Sequence, residues 1–84
     1  MTQLEKLKQK LMDAIKVKSY LMGSEARIQG KQVAPFFNQE YLSFIFEENS
    51  ELSTKEKCSA MDYYAKGWED QHHNITKFNF NQEA

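Results

Sequence analysis

The sequence predicts a mainly α chain of three helices, and three observations point there. Leucines recur at helical spacing through the first 22 residues. Ser53 and Glu56 form a capping-box pattern ahead of a second periodic run. Between the two lies an aromatic stretch that opens on Pro35, a residue at home in a first helical turn.

The first helix is expected from Thr2 to Met22. Leu4, Leu7, Leu11, Ala14, Ile15, Leu21 and Met22 fall in one stripe, with Lys6, Gln9, Lys10, Asp13 and Lys16 on the other faces. Lys18 lies inside the stripe, where its stem would snorkel to the rim. Gly23-Ser24 reads as the stop. A helix so long and so lightly covered needs a partner surface, within the domain or on another chain. Residues 24–34 have no clear period and read as a connection turning at Gly30, with a small β element conceivable at 26–33.

Phe36–Phe46 fits a helix apolar over most of its circumference, with Glu40, Ser43 and Glu47 along one polar edge. The alternative is an α+β fold in which residues 41–46 form a strand, since periodicity alone does not separate short apolar runs. Helix is favoured because Glu47-Glu48-Asn49 gives no turn signal close enough to Phe46 to close a hairpin. The third helix starts at Ser53. Cys58, Met61, Ala65, Trp68, His72 and Ile75 then follow steps of 3, 4, 3, 4 and 3. Asp62–Lys66 and Lys66–Asp70 are spaced for ion pairs on the far side, and Asn74 reads as the stop. Phe78 and Phe80 alternate in the tail, as a short strand at 76–80, a cover for the core, or part of a flexible 76–84 end. The expected core is Leu7, Leu11, Ile15, Leu42, Ile45, Met61, Ala65 and Trp68.

Eighty-four residues make one domain, 1–84, burying about 60–65% of the surface of its unfolded chain. Its 22 large apolar side chains, leaving out Met1, fill one core without also lining a deep pocket. That balance favours function on the surface over a buried active site. The net charge of −1 is unevenly spread. Residues 1–36 carry seven Lys/Arg against three Asp/Glu, and residues 37–84 carry four against nine. The halves are therefore +4 and −5, a dipole whose acidic end suits a basic partner or a second copy. The lone Cys58 excludes an internal disulfide, and the first fifteen residues hold three lysines and no apolar stretch of the secretory kind. With no run of 18 apolar residues either, a cytoplasmic protein without a membrane span is expected.

Chemistry-bearing constellations are sparse, and no cofactor, metal or catalytic residue is assigned. His72 and His73 point about 100° apart on a helix, and Glu69 with His73 supplies one pair where a metal needs three or four ligands. Cys58 lies on the expected apolar seam, where a small buried residue fits, and no oxyanion stabiliser accompanies it. Glycines at 23, 30 and 67 match no phosphate loop. Lys6, Lys8, Lys10, Lys16 and Lys18 spread around their helix, so direct nucleic-acid binding is disfavoured.

The remaining signal is an aromatic excess, 13% of the chain, flanked by acids. Tyr63 falls off the seam and Tyr64 on its margin, so a tyrosine is expected at the surface, where aromatics serve as binding hot spots. The stretch Ala60-Met61-Asp62-Tyr63-Tyr64-Ala65-Lys66-Gly67-Trp68-Glu69-Asp70 resembles a pattern in small accessory proteins of bacteriophages. The resemblance implies a non-catalytic module that occupies a host enzyme, such as a defence nuclease or polymerase. The expected binding residues are Glu47, Glu48, Glu51, Asp62, Tyr63, Glu69 and Asp70. A homo-oligomeric structural protein and a nucleic-acid binder using the basic first helix are the alternatives.

Overall fold

A computed structural model describes residues 2–83, with side chains described through Thr76. Its elements are α1 (Gln3–Ile28), a 3₁₀ turn (Pro35–Phe37), α2 (Gln39–Ser43), a wider π-type turn (Phe44–Glu48) and α3 (Thr54–Glu83). The chain is therefore mainly α with three helices, and no strand occurs among the described residues. Residues 41–46 and 76–80 are helical, which removes the strand reading of each. The segment 26–33 ends α1 and turns, with no β element. The side chains of Phe78 and Phe80 lie outside the described ones.

Both long helices begin with a capping box. Thr2 Oγ1 accepts from the Glu5 amide (3.2 Å) while Glu5 accepts from the Thr2 amide, and Ser53 with Glu56 repeats the exchange at 3.1 and 2.9 Å. α1 runs through Gly23 to Ile28, so Gly23 is no stop. The stop is at Gly30, whose φ of +78° suits glycine. The Gly30 amide donates to Arg27 O (3.1 Å) and the Lys31 amide to Ala26 O (2.8 Å), the double bond of a Schellman ending. α3 likewise continues past Asn74 to Glu83.

α1 and α3 run parallel. Tyr20 reaches Asp70 (2.6 Å), Ser24 reaches Gln71 (3.0 Å) and Arg27 reaches His72 (2.9 Å), so residue numbers rise together. The segment 31–52 travels back between their ends. Both mid-helix glycines are explained by this pairing. A methyl group on Gly23 would sit 2.8 Å from the Tyr64 carbonyl carbon, and one on Gly67 would sit 2.8 Å from that of Tyr20. Each glycine faces the carbonyl oxygen of the other helix, close enough for a Cα–H to donate to it.

That close approach decides which residues are buried. The core is Met12, Ile15, Ala26, Tyr41, Phe44, Ile45, Leu52, Ala60 and Tyr64, with Met22, Met61 and Trp68 packed against it. On α3 the buried line is Ala60, Tyr64 and Gly67, one position off the expected Met61, Ala65 and Trp68. Cys58 is exposed for the same reason. On α1 the buried line is Met12, Ile15, Ser19, Gly23 and Ala26, and the expected core members Leu7 and Leu11 are 58% and 50% exposed. Leu42 is only half-buried.

The small core contains polar groups, all partnered. Tyr41 OH donates to Ser19 Oγ (2.9 Å), and Asn38 Nδ2 donates to Tyr64 OH (2.8 Å). Asn38 Oδ1 also caps α2 by accepting the Tyr41 amide (3.2 Å), so Asn38 opens that helix where Pro35 was expected to. The Tyr41 and Tyr64 rings meet at 4.3 Å. Burial pushes the Tyr41 phenol up to about 12, with the Ser19 contact opposing. Asn49 Nδ2 closes the π-type turn on Phe44 O (2.8 Å).

Candidate protein-binding surfaces

The seven acidic and aromatic candidates separate into two groups. Glu47, Glu48 and Glu51 are exposed on the turn before α3, with Glu47 accepting from Ser43 Oγ at 2.8 Å. Glu51 lines a groove with Lys8, Leu11, Met12, Leu52 and Glu56. Asp62, Tyr63, Glu69 and Asp70 lie further along α3, and Thr54 to Asp70 covers about 24 Å of helix. The turn and the helix face therefore do not make one acidic patch.

Tyr63 is 38% exposed, in agreement with its place off the seam, whereas Tyr64 is fully buried. The Tyr63 ring faces a shallow groove with Asp13, Lys16, Val17, Tyr20 and Leu21. Lys16 and Lys66 ammonium groups stand 5.5 and 5.8 Å from its centroid, so the acids around it are interleaved with lysines of the chain itself. Asp70 accepts the Tyr20 hydroxyl, and that bond holds the Tyr20 phenol above its ordinary range. Asp70 is thus committed to joining α1 to α3, which leaves Asp62 and Glu69 as the free-standing acids of this face.

His72 stacks on Trp68 at 5.1 Å and accepts the Arg27 Nε–H on Nδ1. It thereby acts as a clasp between the long helices, exposed where burial at a seam's end was expected. Trp68 Nε1 donates to Lys31 O at 2.8 Å and pins the connection after α1. Cys58 and His72 are separated by about 21 Å of helix, too far to act as a thiol–imidazole pair. No group of three or more metal-ligating side chains occurs among the described residues.

The strongest surface feature is apolar, and of its members only Leu7 and Leu11 were expected in the core. Phe36 and Phe37 are 64% and 70% exposed on the 3₁₀ turn, and Ile28 and Val33, earlier in the chain, also face solvent. Leu4, Leu7, Leu11, Val17 and Leu21 add an exposed face along α1. A doublet of phenylalanines directly after a proline, with one polar residue before the helix, is the sequence signal that could have found the first of these. The turn holds the backbone while both rings cannot enter the same core.

No helix is long and apolar enough to cross a membrane, among the described residues. No family model, curated protein or solved structure matches this chain.

Proposed function

We propose that the chain is a non-catalytic protein-binding module of the cytoplasm. Its primary anchors are Phe36 and Phe37, and its acids tune the encounter. The observation that carries this reading is the exposure of two adjacent phenylalanines on a short, Pro-initiated turn whose base is fixed. Phe37 N and Asn38 N close the turn on Ala34 O and Pro35 O, and Trp68 holds Lys31 behind it. Rigid aromatics lose little conformational freedom on docking, which is why they dominate binding hot spots. Glu47, Glu48, Glu51, Asp62 and Glu69 supply a dispersed negative field that attracts a basic partner and affects association rate more than affinity.

A partner with a basic channel, such as a nucleic-acid-processing enzyme, fits that field. Together with the resemblance of residues 60–70 to phage accessory proteins, this supports an inhibitor that occupies a host nuclease or polymerase. The test is affinity capture from host lysate with the wild type, with Phe36→Ala/Phe37→Ala, and with Glu47→Ala/Glu48→Ala/Glu51→Ala. A partner retained by the wild type should vanish with the double aromatic variant. With the triple acidic variant it should persist, more weakly at low salt. Its own activity should then fall when the pure protein is added. Equal capture by the wild type and the aromatic variant would reject the anchors.

A further inference from the structure

α1 carries a second apolar seam, one residue out of step with its buried line. Leu4, Leu7, Leu11, Ala14, Leu21 and Ile28 follow alternating steps of three and four, and Lys18 and Glu25 occupy the two remaining heptad positions. The five large members are between 50% and 63% exposed. Scattered surface leucines need no explanation, but a single line about 36 Å long does. The chain has little of its own to cover that line, because Gly23 and Gly67 draw α3 against a different face. The body is elongated, 55 × 27 × 15 Å.

We infer that this edge pairs two copies of the chain, with their α1 helices antiparallel and crossing near residue 16. Charge chooses the direction. In a parallel, in-register pair, Lys18 would face Lys18 and Glu25 would face Glu25, burying two like-charge layers. The antiparallel pair sets Leu4 opposite Ile28 and Leu11 opposite Leu21. Lys18 then faces the small Ala14, and its ammonium is already drawn off the seam, 4.6 Å from the Phe44 centroid. Glu25 faces Leu7, on the turn that carries Lys6, Lys8 and Lys10 of the second copy. The groove beside Leu21 holds Glu25 and Glu40 together with Lys18 and Lys31, so it is charge-balanced, and the direction rests on avoiding the like-charge layers and on Glu25 meeting the lysine-bearing turn. The helix dipoles also oppose in this arrangement. A seam of this length, with its flanks, is on the order of the roughly 800 Å² per partner that a stable pairing buries.

The pairing is independent of Phe36 and Phe37, and sedimentation velocity over a concentration series tests it. The wild type should reach twice the 9.9 kDa of one chain, and Leu11→Glu/Leu21→Glu should remain at one. Both leucines are exposed in the single chain, so circular dichroism of that variant should show unchanged helix. Direction is read by cross-linking in a Cys58→Ser background. Leu4→Cys and Ile28→Cys proteins should form a disulfide with each other when mixed and not with themselves, whose equivalent positions lie about 36 Å apart. A wild type that stays monomeric at every concentration, or a Leu4→Cys protein that links to itself more readily than to Ile28→Cys, overturns the inference. Partner capture by a monomeric Leu11→Glu/Leu21→Glu protein would leave the proposed function standing in either case.

Discussion

Replacing Gly23 by alanine tests the packing argument on which the fold rests. In the middle of a solvent-exposed helix this change stabilises by about 1 kcal/mol, because glycine is the poorer helix former. Here the added methyl would meet backbone, with the Tyr64 carbonyl carbon at 2.8 Å and the Trp68 amide nitrogen at 3.1 Å. No flexible side chain can move aside, so α1 and α3 must separate along the line that seals Tyr41 and Tyr64. Overpacking of this kind costs about 1–3 kcal/mol, and more where the obstruction is backbone. The net effect is expected to be a destabilisation of about 1–2 kcal/mol, opposite in sign to the helix-propensity gain. In a chain of this size each kcal/mol lowers Tm by roughly 4–8 °C. Thermal unfolding followed by far-UV circular dichroism, at one fixed protein concentration, reads the effect. Gly67→Ala should behave alike, since it meets the Tyr20 carbonyl in the same way. The double variant should lose less than the sum by at least about 0.5 kcal/mol, because either methyl alone already parts the helices. An increase in Tm for either single variant would refute the close crossing.

Other perturbations isolate single features. Tyr64→Phe removes the acceptor of Asn38 Nδ2 in the core, and the orphaned amide should cost about 1–3 kcal/mol in a denaturant titration. Ser53→Ala should cost about 1 kcal/mol by the same measure through loss of the α3 cap. The Ser53 amide and hydroxyl hold the Glu56 carboxyl below its ordinary range, so that contribution is present at neutral pH and is lost as pH falls through the lowered value. Tyr41 works in the alkaline direction. Its folded value of about 12 lies above the ordinary 10.0, so stability should decline as pH rises from about 10 towards 12, and Tyr41→Phe should remove a late-ionising phenol from an ultraviolet titration. Cys58, being exposed, should react with a thiol reagent in the native protein as fast as in the unfolded one.

Much of the fold was legible because it rests on local chemistry. The Ser53–Glu56 box, the turn at Gly30 and the helical state of Tyr41–Ser43 follow from residues a few positions apart. What was not legible came from contacts between distant residues. Gly23 reads as a terminator to any local rule, yet it is the point where another backbone approaches. Thr2–Glu5 is a capping box of the same form as Ser53–Glu56, so the start of α1 could have been read with equal force. The acidic candidates proved less coherent than the sequence suggested, because Asp70 is bonded to Tyr20 and lysines reach the Tyr63 ring from both helices.

The misplaced seams have one cause. Tyr20-Leu21-Met22-Gly23 and Tyr64-Ala65-Lys66-Gly67 share a tyrosine three residues before a glycine, and the structure sets each glycine on the carbonyl of the other tyrosine. Apolar periodicity weights large side chains, so it places the contact line of α3 along Met61, Ala65 and Trp68. The true line follows the glycines, because backbone can approach only where no Cβ stands, and it carries Ala60 and Tyr64 inward instead. On α1 the same displacement gives the α3 contact to Tyr20 and Gly23 and leaves the leucine stripe facing out. A helix that satisfies its fold through small residues and still repeats leucine every third or fourth position carries two instructions. The first is spent inside this chain. The second is available to another, and Leu4 against Ile28 is where its direction is read.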